Sequence, residues 1–356
     1  MKTRASLLLN AVVVAGSVLF ALPKVTPSQT NNVRSYPAPG RLVDIGGYKL
    51  HINCSGKVSK RSPTVILLHG LGDFSFDWAL VQPKIARYTR VCSYDRAGQA
   101  WSDPGPKPRG PLTAANELHV LLMNAGIKAP YLLVGHSWGG LIARVYASQY
   151  PKDVVGMVLV DSTHEDEYLW INGKIVSPRL MSDEQWQELT KPKAKSATPS
   201  RERFVTIKRQ TLIERQVEAP FDKLPLDIQR IRLWATSLPR TKRINEGGDI
   251  ENFRGDLIAT YTLSRANKGR YPLDSIPLVV LTANSPRDPD YTQEQCDWNR
   301  KLQTEMAGYS SNGKQIITRK GDHHIQLEEP EVVIDAVREV FMAAQHQSKL
   351  TGSRSK

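Results

Sequence analysis

The chain has 356 residues, 40% of them hydrophobic and 23% charged, and a formal net charge of +13. These proportions, with no repeat, heptad or long low-complexity tract, exclude a fibrous, solenoid or wholly disordered chain, and the length suffices for a large core without staples. The positive charge is spread out, densest over 191–204 and on to Arg209, with no nucleic-acid motif beside it; it reads as a solvated basic face, with membrane-surface attraction as the functional alternative and no nucleic-acid partner expected.

At the N-terminus, Lys2 and Arg4 precede an apolar run from Ala5 to Leu22 broken only by Asn10, Gly16 and Ser17. Residues 1–22 therefore read as a signal peptide or membrane anchor, between a typical leader and a comfortable span of ~20 residues. The expected location is exported, periplasmic or extracellular, or tethered to a membrane. A polar linker follows over 23–40. Export permits disulfides, and the odd count of Cys54, Cys92 and Cys296 leaves at least one thiol free or paired with another chain.

RLVDIGGYKLHINCSG, from Arg41, predicts two strands joined at Gly46-Gly47. TVILLHG (64–70) is a continuous apolar run of the kind buried on both faces of a sheet, and VCSYD (91–95) is the next strand. AANELHVLLMNAG (114–126) has helical spacing and a glycine stop; YLLVG (131–135) reads as a strand, LIARVYASQY (141–150) as a helix stopped by Pro151, and VVGMVLVD (154–161) as another strand. This alternation predicts an α/β core with a mostly parallel central sheet flanked by helices, its first part spanning 41–164.

The alternation lapses over 165–272, a Lys/Arg-rich insertion with helix-like pieces such as SDEQWQELT and LDIQRIRLWATSL. It resumes over 273–345 with IPLVVLTA, KQIITRKG and the amphipathic EVVIDAVREVFMAAQ, and 346–356 reads as a disordered tail.

Between the YLLVG strand and the helix after it lies Gly135-His136-Ser137-Trp138-Gly139, a G-x-S-x-G sequence. Strand, tight glycine-flanked turn and helix make a nucleophile elbow, which holds a serine in a crowded backbone conformation and needs small neighbours. A serine hydroxyl also needs a base, and GDHHIQLEEPE (321–331) offers His323 and His324 in a loop before the last helix. No second ligand cluster stands near that pair at metal spacing, so no metal is expected.

With LHGLGD (68–73), SYDRAGQAWSD (93–103), GHSWGG (135–140) and DHHIQLEEPE (322–331) in this order, the chain resembles a serine hydrolase of the α/β-hydrolase superfamily over about 41–345. The family often carries G-H-x-x-x-x-E-x-P around its catalytic histidine. Here Glu328 and Pro330 stand at the matching distances from His323, and Asp322 replaces the glycine. The resemblance thus implies Ser137 as nucleophile, His323 as base, His324 as a neighbour, and the amides of Leu71 and Trp138 as the oxyanion hole. Asp95-Arg96 and Trp101-Ser102 read as loop anchors.

The acid of the triad stays open. Most relatives place it after the seventh strand, where LTANSPRDPDY offers Asp288 and, beyond it, Asp290; haloalkane dehalogenases and some others place it after the sixth, here Asp161. The family's strand order sets the second strand beside the fourth and so implies a Cys54–Cys92 disulfide, with Cys296 free. It also implies that 165–272 is a helical cap, with Trp170, Trp186, Trp234, Tyr261 and Tyr271 as candidate wall residues. Dehalogenases and epoxide hydrolases of this fold use an aspartate at the elbow, so Ser137 implies acyl transfer to water instead. The expected function is hydrolysis of a carboxylic ester or related acyl bond in a small molecule, without cofactor. A proline-releasing peptidase, a cofactor-free haloperoxidase-type enzyme and a non-catalytic binding protein of the same fold are the alternatives.

Overall fold

The computed structural model describes residues 36–59, 62–191, 216–241, 250–265, 273–285, 291–320 and 322–351. The expected leader 1–22 and most of the densest basic run lie outside them. Ten strands are formed among the described residues: β1 (Arg41–Asp44), β2 (Lys49–Ser55), β3 (Thr64–Leu68), β4 (Val91–Tyr94), β5 (Tyr131–His136), β6 (Val154–Val160), β7 (Leu169–Ile171), β8 (Lys174–Val176), β9 (Leu278–Thr282) and β10 (Gly313–Ile317). Eight of them make one sheet in the order β1-β2-β4-β3-β5-β6-β9-β10. It is parallel from β4 to β10, and β1 and β2 join antiparallel.

The apolar runs are continuous because both faces of the sheet are covered. Side chains alternate along each strand. Ile66, Leu68 and Leu133 pack with α2 (Pro111–Asn124) and α3 (Trp138–Gln149) on one face. Val65, Leu67, Leu132 and Val134 pack on the other, against α1 (Gln82–Ile85) and the last helix. The β1–β2 turn carries Gly46 at φ +111° and Gly47 at φ +103°, and Asp44 Oδ1 accepts both amides, at 2.8 and 3.1 Å. Cys54 and Cys92 are register partners across β2 and β4 and form a disulfide; Cys296 is free.

In the described part of 165–272, the helix-like pieces are helices, α4 (Asp183–Thr190) and α5 (Leu226–Ser237), joined by α6 (Ile250–Arg265). Ser182 begins α4 with a capping box closed by Gln185. The β7–β8 hairpin is unexpected: two strands of three residues are too short to display an alternation. After β9 come α7 (Gln293–Ala307), β10, the single turn α8 (Ile325–Glu328) and α9 (Pro330–His346). The tail expected to be disordered is docked as far as Thr351: Leu350 N–H donates to Asn312 Oδ1 at 2.9 Å, Thr351 N–H donates to Glu339 Oε1 at 3.1 Å, and Leu350 packs on the core.

Candidate active site

Ser137 is the single residue between β5 and α3, with φ +49° and ψ −122°, a conformation a side chain adopts only where its surroundings enforce it. Its N–H donates to Val160 O at 3.0 Å, and its carbonyl accepts the amides of Gly140 at 2.9 Å and Thr163 at 3.1 Å. The flanking glycines have a packing reason. A Cβ on Gly135 would stand 2.5 Å from Gly140 Cα, and one on Gly139 2.2 Å from Leu68 O. The α3 N-terminus behind the serine favours negative charge there.

Asp161 is the first residue past β6. Its amide continues the ladder to Leu281 O at 2.8 Å, its φ is +39°, and its Oδ1 accepts Ala283 N–H at 3.1 Å. The other oxygen, Oδ2, lies 2.7 Å from His323 Nδ1. A carboxylate in contact with Nδ1 draws the ring hydrogen to that nitrogen, so a neutral ring keeps its lone pair on Nε2. Among the acids left open by sequence, Asp161 stands beside His323; Asp288 and Asp290 lie outside the described residues.

The turn after β3 carries Leu71, exposed, between Gly70 and Gly72, the latter at φ +76°. Arg96 fixes it from beneath, Nη1 donating to His69 O at 2.6 Å and Nη2 to Gly70 O at 2.7 Å. Among the described residues neither the Leu71 nor the Trp138 amide donates to a backbone acceptor. Burial, with the Arg96 charge added, pushes the His69 imidazole down to about 3. Asp95 accepts Ser75 N–H at 2.8 Å through one oxygen and contacts His51 Nδ1 at 2.7 Å through the other, while Ser102 Oγ donates to Asp95 O at 2.6 Å and Trp101 Nε1 to Tyr36 O at 2.8 Å. These residues anchor loops, as the motif suggested.

His324, the neighbour named from sequence, stands near the site with Asp73, His136 and Arg232, which sequence did not single out. His136 Nε2 lies 2.9 Å from the carbonyl of His323, and its Nδ1 lies 3.1 Å from Asp73 Oδ2. His324 Nε2 faces Asp73 Oδ1 at 3.5 Å. Arg232 of α5 stands 3.5 Å from the same oxygen, pairs with Asp77, and lies under the Phe221 ring at 3.2 Å. Burial pulls the Asp73 carboxyl up, but the hydrogen bonds and charges of His136 and His324 outweigh it and hold Asp73 well below the usual range. At His136 burial wins and lowers the pKa; at His324 the Asp73 interaction outweighs burial and raises it. Asp77 is pushed up to about 6 by burial, against the pull of Arg232. Asp73 and His136 lie inside the quoted motifs, yet nothing in their spacing announces that they meet. The expectation of no ligand cluster near His323-His324 counted along the chain, and the fold brings two more candidate ligands there.

From the cap segment, Phe253 of α6 stacks on Trp138, ring centroids 4.9 Å apart. Trp234 is buried against Tyr36 and Trp101 at 5.8 and 5.4 Å, residues outside the 165–272 segment, and Trp186 is buried too. Tyr261 lies under the Arg179 guanidinium at 3.7 Å. Trp170 is on β7 with its side chain outside the described residues, and Tyr271 lies outside them altogether. Cys296 and Asp161 line a common cavity with Thr282, Tyr291 and Gln303.

The alpha/beta hydrolase fold family matches residues 63–330, a span that holds the elbow, the Asp161–His323 pair and the parallel strands β3, β4, β5, β6, β9 and β10. The chain belongs to the α/β-hydrolase fold family. Over 300 residues this hydrolase-fold chain is 25% identical to an AB hydrolase superfamily protein of Gibberella zeae, covering 80% of this chain and 88% of that one. Over 133 residues it is 39% identical to the probable transporter efuK of Hormonema carpetanum, covering 36% of this chain and 19% of that protein, so the chain spans about a fifth of that relative's length. A solved structure of similar fold is a thermophilic esterase from Thermogutta terrifontis, with a TM-score of 0.52, 20% identity, and coverage of 84% of this chain and 94% of that one. At that identity the likeness shows the fold alone. Among the described residues no helix is long and apolar enough to cross a membrane.

Proposed function

We propose that this α/β hydrolase cleaves a carboxylic ester or related acyl bond of a small molecule through an acyl-enzyme. The observation that carries the reading is the 2.7 Å contact of His323 Nδ1 with Asp161, in a fold whose elbow holds Ser137 at φ +49°. Ser137 Oγ attacks the carbonyl carbon as His323 Nε2 takes its proton, and the amides of Leu71 and Trp138 hold the oxyanion. Collapse of the tetrahedral species breaks the bond to the leaving group, which receives the proton from His323. Water, deprotonated by the same nitrogen, then attacks the acyl-enzyme and releases the acid and free Ser137. Throughout, Asp161 stabilises the imidazolium and does not itself take the proton. The apolar cover of Phe253 over Trp138 supports an uncharged acyl chain in the pocket.

Intact mass after reaction with a fluorophosphonate tests this, with Ser137→Ala and His323→Ala alongside. One adduct on the wild type and none on either variant is expected, followed by turnover of short-chain p-nitrophenyl esters. A folded wild type without adduct would reject the reading in favour of a non-catalytic binding protein. A position at or beyond a membrane belongs to the same proposal, supported by the apolar run Ala5 to Leu22 and the Cys54–Cys92 disulfide. Fractionation of cells making the full chain checks it: recovery from the soluble cytosol with both cysteines reduced would reject that position.

A further inference from the structure

Beside the Asp161–His323 pair stand three groups with no part in the proposed reaction. Asp73 comes from the turn after β3, His136 ends β5, and His324 follows His323. One ligand atom of each lies within 4.8 Å of the other two; Asp73 and His136 are buried, and His324 is partly open to solvent.

The hydrogen-bonding arithmetic of His136 is the central observation. A carbonyl oxygen can only accept, so His136 Nε2, 2.9 Å from His323 O, must carry a hydrogen. A neutral imidazole has only one. Nδ1 then turns its lone pair toward Asp73 Oδ2 at 3.1 Å, two acceptors facing each other in a buried place. The other neutral tautomer merely moves the conflict to the His323 carbonyl. A positive centre between the two resolves it, and His324 supplies a third donor directed at the same carboxylate.

We propose that Asp73, His136 and His324 bind one divalent transition-metal ion of zinc-like preference. Two imidazoles and a carboxylate suit such an ion, with water in the fourth place. At metal–ligand lengths of about 2.0–2.2 Å, tetrahedral ligand atoms stand roughly 3.3–3.5 Å apart. His136 Nδ1 stands 3.1 Å from Asp73 Oδ2 and His324 Nε2 3.5 Å from Asp73 Oδ1, each near that spacing to one of the two carboxylate oxygens, and a single ligand atom from each of the three residues lies within 4.8 Å of the others. The outer shell is also in place. Metal-bound histidines donate their other N–H to a carbonyl or carboxylate, as His136 does to His323, and bound carboxylates are held by donors, as Asp73 is by Arg232. Asp73 and Asp77 against Arg232 leave one negative charge for the cation to meet. His324, the most exposed of the three, marks the way in from solvent. The ion takes no part in acyl transfer. It ties the turn after β3 and the end of β5 to the loop that carries His323, and so restrains that loop.

Titration of the chelator-treated full chain with Co2+, read by visible absorption, and with Zn2+, read by native mass and Tm, tests the site. One ion per chain, a tetrahedral Co2+ spectrum and a Tm raised by Zn2+ are expected. Both His324→Gln and Asp73→Asn lose the spectrum and the Tm rise, and His119→Gln, remote from the cluster, keeps them. Circular dichroism confirms the fold of each variant, and His324→Gln, at a partly exposed position, keeps the test decisive if Asp73→Asn unfolds. Absence of stoichiometric binding, or binding equal in the wild type and His324→Gln, overturns the proposal and leaves a proton on His136 as the positive centre. The readout is binding, so it stands or falls separately from the chemistry of Ser137.

Discussion

The sheet buries Val65, Leu67, Leu132, Val134 and Val158 fully in an apolar cluster, whereas the described part of the 165–272 segment is fastened by guanidinium groups. Arg232 reaches Asp73 and Asp77, Arg240 reaches the Ala100 carbonyl, and Arg254 ties the segment to itself through the carbonyls of Pro178 at 3.0 Å and Met181 at 2.7 Å. The two regions therefore respond to different changes. Apolar burial is non-directional and tolerates conservative exchange. A buried guanidinium needs its particular acceptors, and its removal strands their charge. Part of the basic character that reads as a solvated face is thus internal to the molecule.

The largest effect is expected on the core side. Asp161→Asn leaves the hydrogen-bonding shape but lets His323 adopt the wrong tautomer, so kcat on an ester should fall by about 10^4-fold with the fold intact. Asp288→Asn should leave kcat near wild type. A loss confined to Asp288→Asn, with Asp161→Asn near wild type, would move the acid to the loop after β9. Arg232→Met tests the cap. It leaves Asp73 and Asp77 buried without their cation and should lower the unfolding free energy by about 3–5 kcal/mol, read from urea denaturation. An unchanged midpoint would mean that the 165–272 segment docks by apolar contact, as the sheet layers do.

A smaller effect comes from His69 beneath the oxyanion turn. Unfolded, it takes a proton near its ordinary value of 6.5; folded, burial and Arg96 delay this to about 3. Between these values the unfolded chain holds more protons, so stability falls as pH drops through that window, by at most about 1.4 kcal/mol per pH unit from this group. His69→Gln should flatten the fall between pH 6 and 4, and an unaltered slope would assign it to other groups. The smallest effect is expected for Phe253→Ala. Losing the ring stacked on Trp138 should lower kcat/KM by about 0.5–1.5 kcal/mol, mainly through KM. A change confined to kcat would put Phe253 closer to the reacting atoms than to the pocket wall.

The legible parts of the sequence were those with a repeating physical signature. Strands covered on both faces read as unbroken apolar runs, and SDEQWQELT reads as helix-like, with Ser182 three residues before Gln185 at the spacing of the capping box that begins α4. Residues 111–113 extend α2 beyond the predicted start at Ala114, because proline suits the first helical turn, where its missing N–H is not needed. β7 and β8 gave no sign, being three residues each. The acid stayed open in the sequence because Asp161 and Asp288 both follow strands, and no spacing along the chain says which strand end meets the His323 loop.

Composition, apolar periodicity and four ordered motifs by themselves determined an α/β sheet, a serine at a strand-to-helix turn and a histidine before the last helix. Each of these depends on neighbours a few residues away in the chain. The tertiary structure alone decided that Asp161 faces His323, that Arg232 reaches Asp73 and Asp77 from the 165–272 segment, and that Asp73, His136 and His324 meet. Those contacts join segments that share no period and no spacing, and they exist only once the strands are ordered side by side and their ends brought to one edge of the sheet.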